Sequence, residues 1–305
     1  MISFDGLDEG AFAGWRATIR DRLVDLRVSA GQPREQALAD VDALVRRRLD
    51  EAPDDESSVW VVVADGSPIG TTWQIRPAGQ QPSLVDLDVP AEHVPATLEA
   101  LAGTLRAGGA TAIEVPVHAG RADLAAAVAR AGATLIATHM VRDLAVATPP
   151  PPRVRLVPFT QDDYVAFSSA SIDTYAEEIF KAGGFATPEI AHTDAVRQYA
   201  ELLPDGLASA GQHLWAAYDG ERRVGLLWIF VEDAWSYIYD IEMLAEVRGQ
   251  GYGSEVLELG ADAARRLGAT HLGLNVFGHN ADARRLYERT GFAVTRELFR
   301  LDLSS

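Results

Sequence analysis

The feature that most limits what this chain can become is that it is written twice. At a spacing of 155 residues Trp60 meets Trp215, Gly70 meets Gly225 and Trp73 meets Trp228. At a spacing of 154, Asp86 of LVDLDV meets Asp240 of IYDIEM. At a spacing of 159, Gly109-Ala110-Thr111 meets Gly268-Ala269-Thr270, Arg130 meets Arg289, Gly132 meets Gly291, and Asp143-Leu144 meets Asp302-Leu303. Each match is weak alone, but together they keep one order over most of each half, which identifies a tandem duplication. The halves meet at AVATPPPPR, residues 145–153, whose four consecutive prolines have no N–H to donate and favour an extended, stiff backbone. The resulting division is a first domain at 1–145, a linker at 146–152 and a second domain at 153–305.

Each copy reads as mixed α/β. VWVVVADGSPIGTTW and LWAAYDGERRVGLLW are both strand, tight turn, strand. In the second copy the pattern predicts strands at 153–157, 213–219, 223–231, 235–244, 271–276 and 292–302. Helices are expected at 160–181, 188–203, 251–267 and 280–289. In the third helix Val256, Gly260, Ala263 and Leu267 follow the helical period and predict one buried stripe.

Charge and composition narrow the chemistry. The net charge is −17, with 13 Lys and Arg against 21 Asp and Glu in residues 1–150 and 14 against 23 in the rest. Phosphate backbones are gripped by basic faces, so no nucleic-acid partner is expected. An acidic surface either serves solubility alone or favours a cationic partner. The absence of cysteine removes disulfides, thiolate metal sites and a cysteine nucleophile. His213, His271 and His279 lack ligand spacing, so no metal is expected. No apolar run is long enough for a membrane helix and the start MISFDGLDEG is acidic, so the expected compartment is the cytoplasm.

The chemical signal is Arg248-Gly249-Gln250-Gly251-Tyr252-Gly253-Ser254, after a predicted strand and opening a predicted helix. Glycines allow a tight turn, and the first amides of a helix have no internal partner and carry partial positive charge. Such a loop cradles a pyrophosphate. There is no Gly-Lys-Ser/Thr, and the dinucleotide glycine pattern does not fit. Asp240 and Glu242, two apart on the preceding strand, project from one face beside it.

The run Arg-x-x-Gly-x-Gly resembles the coenzyme-A loop of the GNAT superfamily of N-acetyltransferases. Downstream, LGLNVFGHNADARRLYERTGF carries Asn280, Ala283, Leu286, Tyr287, Gly291 and Phe292 at the spacing of that superfamily's second motif. The resemblance covers the whole second half and implies two tandem GNAT-like domains, each a mixed, mostly antiparallel sheet flanked by helices. It implies acetyl-CoA as co-substrate, held by residues 248–254 with Met243, Leu244, Asn280, Ala283 and Tyr287. The backbone N–H groups near Met243 and Leu244 are then expected to meet the developing oxyanion. Tyr287 either donates a proton to the leaving thiolate or packs against the pantetheine arm. Asp240 or Glu242 either takes the ammonium's proton, directly or through water, or attracts a cationic acceptor. Asp240 has a third reading as a structural brace, because Asp86 keeps the acid in the first copy.

That first copy has VPAEHVPA, residues 89–96, in place of the glycine loop, and the spacing grows by five residues across it. Val128 stands at the position of Tyr287 and Arg121 at that of Asn280. The expected activity is therefore transfer of an acetyl group to a small-molecule amine by the second copy. An amino sugar, a polyamine and an antibiotic-like amine are all open as acceptor. A protein or peptide acetyltransferase, or a non-catalytic acyl-CoA-binding regulator, are the alternatives. The first copy serves as a permanent partner, so a monomer that is a pseudo-dimer of lobes, or a homodimer, is expected.

Overall fold

The computed structural model describes residues 1–51, 57–76, 81–145, 153–183, 185 and 187–303; the linker at 146–152 lies outside the described residues. The first repeat contains β1 (Ile2–Gly6), α1 (Glu9–Ser29), α2 (Arg34–Val45), β2 (Ser57–Ala64), β3 (Ser67–Ile75), β4 (Ser83–Asp88), α3 (Val94–Ala107), β5 (Ala112–His118), α4 (Ala122–Arg130) and β6 (Thr134–Asp143). The second contains β7 (Val154–Pro158), α5 (Gln161–Lys181), α6 (Pro188–Leu202), β8 (Gln212–Asp219), β9 (Arg222–Glu232), β10 (Trp235–Met243), α7 (Tyr252–Arg266), β11 (His271–Phe277), α8 (Ala281–Arg289) and β12 (Ala293–Asp302). Element order agrees between the repeats and with the periodicity, so the class is α/β with two copies of one unit in tandem.

Two compact units form, one from Met1–Thr138 with Val294–Ser305 and the other from His139–Ala293. In the first, β1, β2, β3 and β4 pair antiparallel in turn, and β4 meets β5 in parallel at Ser83↔Glu114. In the second, β7, β8, β9 and β10 are antiparallel, and β10 runs parallel to β11 from Trp235↔His271 to Ile238↔Leu274. The two then part, although β10 continues to Met243 and β11 to Phe277.

The compact units cut the chain differently from the division at the prolines, because the second repeat gives β12 from Val294 onward, and the first repeat the second half of β6, His139–Asp143, to the other unit. β12 pairs antiparallel with β5, from Arg296↔His118 to Asp302↔Ala112. The Leu303 amide donates to the Thr111 carbonyl at 2.8 Å. Reciprocally, β6 neighbours β11, and the Leu144 amide donates to the Thr270 carbonyl at 2.9 Å. These are the Asp-Leu and Gly-Ala-Thr pairs that repeat at a spacing of 159. A hydrogen-bond ladder is indifferent to which stretch of chain supplies its last strand, so connectivity alone does not reveal the exchange.

The repeats also share their irregularities. The β2–β3 ladder shifts register between Val62 and Val63, and the β8–β9 ladder between Ala217 and Tyr218, 155 residues on. The β3–β4 and β9–β10 ladders each carry a bulge directly before the pairs Trp73↔Asp86 and Trp228↔Asp240. A Cβ at Gly70 would overlap the Asp88 carbonyl oxygen, and one at Gly225 the Glu242 carbonyl oxygen, so both sites require glycine.

Helices cover both faces of the first sheet. α1 and α2 bury Ile19, Leu23 and Val41 against Trp73, while α3 and α4 bury Leu98, Leu101, Leu124 and Val128 against Leu84, Ile113 and Val115. In the second unit Phe159 and Phe167 enclose the fully buried Trp228. Thr160 opens α5 with a reciprocal capping box to Asp163. The α7 stripe needs correction. Val256, Leu257, Gly260, Ala261 and Ala264 are buried, whereas Ala263 is half-buried and Leu267, past the helix end, is exposed. Among the described residues no helix is long and apolar enough to cross a membrane, and no group of His, Asp and Glu has metal-binding geometry.

Candidate active site

The glycine loop leaves β10 through a short 3-10 turn at Ala245–Val247 and enters α7. Gly249 and Gly251 have φ of 75° and 87°, a left-handed backbone that side chains resist. Gly251 is the N-cap of α7 and has no side chain to satisfy the first amides, so the N–H groups of Tyr252, Gly253 and Ser254 remain free for an anion. The other loop side chains brace it. Arg248 Nε donates to the Met243 carbonyl at 3.0 Å, and its terminal nitrogen lies 3.5 Å from Glu242. Gln250 Nε2 donates to the Glu246 carbonyl at 3.0 Å. The Tyr252 side chain is buried and donates to Asp219 at 2.7 Å, so it anchors the loop while its amide faces outward.

Sequence reading missed the clamp on this loop. Arg153 donates to the Gln250 carbonyl at 2.6 Å and to Glu255 at 2.7 Å, and its guanidinium sits 3.9 Å over the Tyr252 ring. Nothing local marks Arg153, which reaches the loop only because β7 runs beside α7.

Beside the loop lies a cavity of about 560 Å³ bounded by α5, α6, β10 and the end of β11. Asp240 and Glu242 both line it, as the two-residue spacing on a strand requires. Ser171 on α5 donates to Asp240 at 3.1 Å, and its oxygen is 2.6 Å from the Tyr199 hydroxyl on α6. Burial, with a smaller contribution from the negative charge of Glu242, pushes the Asp240 carboxyl up to about 6 against the Ser171 hydrogen bond. Burial likewise raises the Tyr199 hydroxyl, which stays a donor. Such an acid is ionised at neutral pH yet basic enough to take a proton.

Tyr287 on α8 is buried against Phe292, ring centroids 5.8 Å apart. Burial, then the negative charge of Asp240, pushes its phenol up to about 12, so it holds its proton. Its hydroxyl makes no hydrogen bond to another described residue. Asn280 lines the cavity, but its Oδ1 accepts from the Ala283 amide at 3.1 Å as the N-cap of α8, so the Asn-x-x-Ala spacing is first a helix start. The Leu244 amide donates to the Val224 carbonyl at 3.0 Å and is therefore engaged within the sheet. Antiparallel alternation turns the Met243 N–H away from β9, toward the gap where β11 departs.

Tyr175 and Glu178 of α5 stand on the cavity wall, whereas Asp173 of the same helix is exposed and pairs with His192. His279 is held 2.6 Å from Glu178 and stacks on Phe277. Of the aromatic strand residues, Trp228 is core, whereas Tyr239, which periodicity did not single out, lines the cavity because the bulge between Ile238 and Asp240 re-aims it. The matching bulge in the other repeat was the only available signal, and it is a tertiary one.

Comparison with known proteins agrees with this geometry. A model of the acetyltransferase (GNAT) family matches residues 176–292. The uncharacterized N-acetyltransferase YycN of Bacillus subtilis is 37% identical over 147 residues, 47% of this chain and 94% of that protein. A second uncharacterized N-acetyltransferase of B. subtilis, YdgE, is 29% identical over 149 residues, again 47% of this chain and 94% of that one. The solved GCN5-related N-acetyltransferase from Sphaerobacter thermophilus superposes with a TM-score of 0.60 at 17% identity, over 99% of this chain and 96% of that one, a likeness of fold.

Proposed function

The chain belongs to the acetyltransferase (GNAT) family, and from that premise we propose that its second repeat, residues 153–305, acetylates the amine of a small molecule. Members of the family generally use acetyl-CoA. The residues present fit its pyrophosphate: two left-handed glycines and an uncapped helix start with the amides of Tyr252, Gly253 and Ser254 form the cradle. The observation that carries the reading is Asp240, half-buried on the floor of the neighbouring cavity with only a hydroxyl and a backbone amide to balance its charge.

Acetyl-CoA, when bound, supplies a thioester carbonyl at which the C–N bond forms as the C–S bond breaks. Asp240 removes one proton from the incoming ammonium, exposing the nitrogen lone pair. The Met243 N–H is aimed at the gap where the carbonyl oxygen gains charge. Tyr287 delivers its proton to the departing sulfur and is restored by the second proton lost from nitrogen; the proton on Asp240 passes to solvent. The balance is one ammonium and one thioester in, one amide, one thiol and one proton out. Glu242 stays paired to Arg248, which leaves Asp240 as the base. A cytoplasmic location, where the co-substrate is made, and a monomeric or homodimeric state belong to the same reading.

The test is calorimetric titration with acetyl-CoA, followed by an assay for free thiol release with an amine panel. One site per chain, lost in Gly251→Glu, with amine-dependent thiol release, is expected. Binding without release to any amine or peptide would make the protein an acyl-CoA-binding regulator. No binding would overturn the loop assignment.

A further inference from the structure

The charges lining the cavity cancel, with one exception. Asp163 receives Arg223 at 2.7 Å. Glu178 lies 2.6 Å from His279 and 3.1 Å from Lys181. Glu242 is 3.5 Å from Arg248. Asp240 has no cation near it among the described residues; Ser171 and the Ile241 amide are its only partners. An ionised carboxylate held in low-dielectric surroundings without a counter-charge attracts one cation strongly.

Between these charges the wall carries large apolar or aromatic side chains, among them Phe167, Tyr175, Tyr199, Leu226, Tyr239 and Phe277, and three uncharged polar ones, Ser171, Thr174 and Asn280. Tyr239 is 38% exposed although its ring packs 4.9 Å from Trp228 and 5.2 Å from Tyr237, so one large aromatic face is left open to the cavity. Ring faces around a carboxylate stabilise an ammonium and cover an apolar body at once.

Resting on the acetyltransferase reading, we propose that the acceptor is a primary amine with one positive charge and an apolar, aromatic-sized body. Its ammonium sits on Asp240 and its body lies against Tyr239, Tyr175 and Phe277. A polyamine would bring a second ammonium to carboxylates that already hold partners, and burying an unpaired charge is costly. The carboxylate of an amino acid would find Arg223, Arg248 and His279, each already set against an acid of the wall. An amino sugar would set most of its hydroxyls against rings, and of the uncharged polar groups on the wall Ser171 and Asn280 already hold partners, which leaves Thr174. One free negative charge beside exposed ring faces matches an arylalkylamine.

The experiment compares 2-phenylethylamine, spermidine, glucosamine and free lysine on the full chain. Acetyl transfer is read as thiol release, and amine binding is read by calorimetry on protein saturated with coenzyme A. We expect kcat/KM for 2-phenylethylamine to exceed that of each other amine by about 30-fold or more. Tyr239→Ala, at an exposed position that tolerates truncation, is expected to raise the KM for 2-phenylethylamine about 10-fold while kcat stays within about two-fold. Asp240→Asn is expected to abolish binding of that amine. Faster transfer to spermidine, glucosamine or lysine would overturn the acceptor class and leave the acetyltransferase standing. Asp240-dependent binding of 2-phenylethylamine with no transfer would keep the class and overturn the transferase. Absence of binding by any amine to the coenzyme-loaded protein would overturn both.

Discussion

Asp86 and Asp240 stand opposite Trp73 and Trp228 in their ladders, each just after a bulge, yet their surroundings differ. Burial raises both carboxyls to about 6. Around Asp86 the burial is opposed by Arg22, which forms an ion pair with it and lies 3.4 Å from Asp88. Counted from the helix caps Asp8 and Thr160, Arg22 holds the place of Thr174, a residue that lines the open cavity of the second repeat. One long cation at that helical position therefore cancels the acid in the first repeat, where a threonine leaves it available in the second. The lesson is that a retained acid does not by itself mark a retained site; whether a counter-charge stands against it decides.

The helix starts diverge in the same direction. α3 begins at Val94 with Pro95 in its first turn, where an N–H is missing, whereas α7 follows a left-handed glycine. Arg121 and Asn280 have the same cap backbone, φ −90° and −91°, but only Asn280 caps; Arg121 instead pairs with Asp123 and reaches the Leu87 carbonyl. Val128 fills core where Tyr287 keeps a phenol.

The comparison breaks most completely if the repeats are separated. Residues 153–305 alone lack His139–Asp143, which belong to their compact unit, and we expect this piece to lose soluble monomeric behaviour in light scattering. A monomeric, fully active fragment would mean that its own β12 closes the sheet and the exchange is dispensable. Next, Asp240→Asn should lower kcat/KM about 10³-fold. Asp86→Asn should leave catalysis per folded molecule intact while costing about 3 kcal/mol in urea unfolding, by stranding Arg22. Equal kinetic losses would erase the distinction between the two acids. Tyr287→Phe should lower kcat about 10²-fold with coenzyme-A affinity within about two-fold, measured by calorimetry.

Acidity offers smaller effects. In the wild type, kcat/KM should fall as pH drops below about 6 and Asp240 takes up its proton. Loss of that limb in any variant other than one at Asp240 would reassign the base. For stability the group to watch is His118, which burial, then Arg296, Arg27 and Arg121, hold down to about 3. Between its ordinary value near 6.5 and that value the unfolded chain binds a proton that the folded chain does not, so stability falls as pH falls through this window. The second repeat has Phe277 there. His118→Phe should leave stability at pH 8 little changed and recover about 2 kcal/mol at pH 4.5 in urea titrations.

Much of this was legible from residues in a row. Strand alternation, helical period and capping are local, and they placed the elements to within a residue or two. The glycine loop was legible because a left-handed turn into a helix demands residues of that kind, and Asp240 because a strand spacing of two shares one face. Ser171 and Tyr199 were not, since each sits on a helix whose rotation against β10 sets what it touches. Tyr239 hid behind a bulge that alternation does not register. Arg153 came to brace the glycine loop only through the packing of β7 beside α7.

By itself, then, the sequence determined two copies of one α/β unit, a glycine loop opening a helix in the second alone, and the acid beside it. Those are properties of spacing and of backbone conformational cost, which neighbours along the chain decide. Only the tertiary structure decided that the repeats trade their closing strands, that Arg22 silences Asp86, and that Asp240 remains without a cation. Hydrogen-bond ladders and counter-charges act through space, and distance along the chain does not constrain which partner arrives.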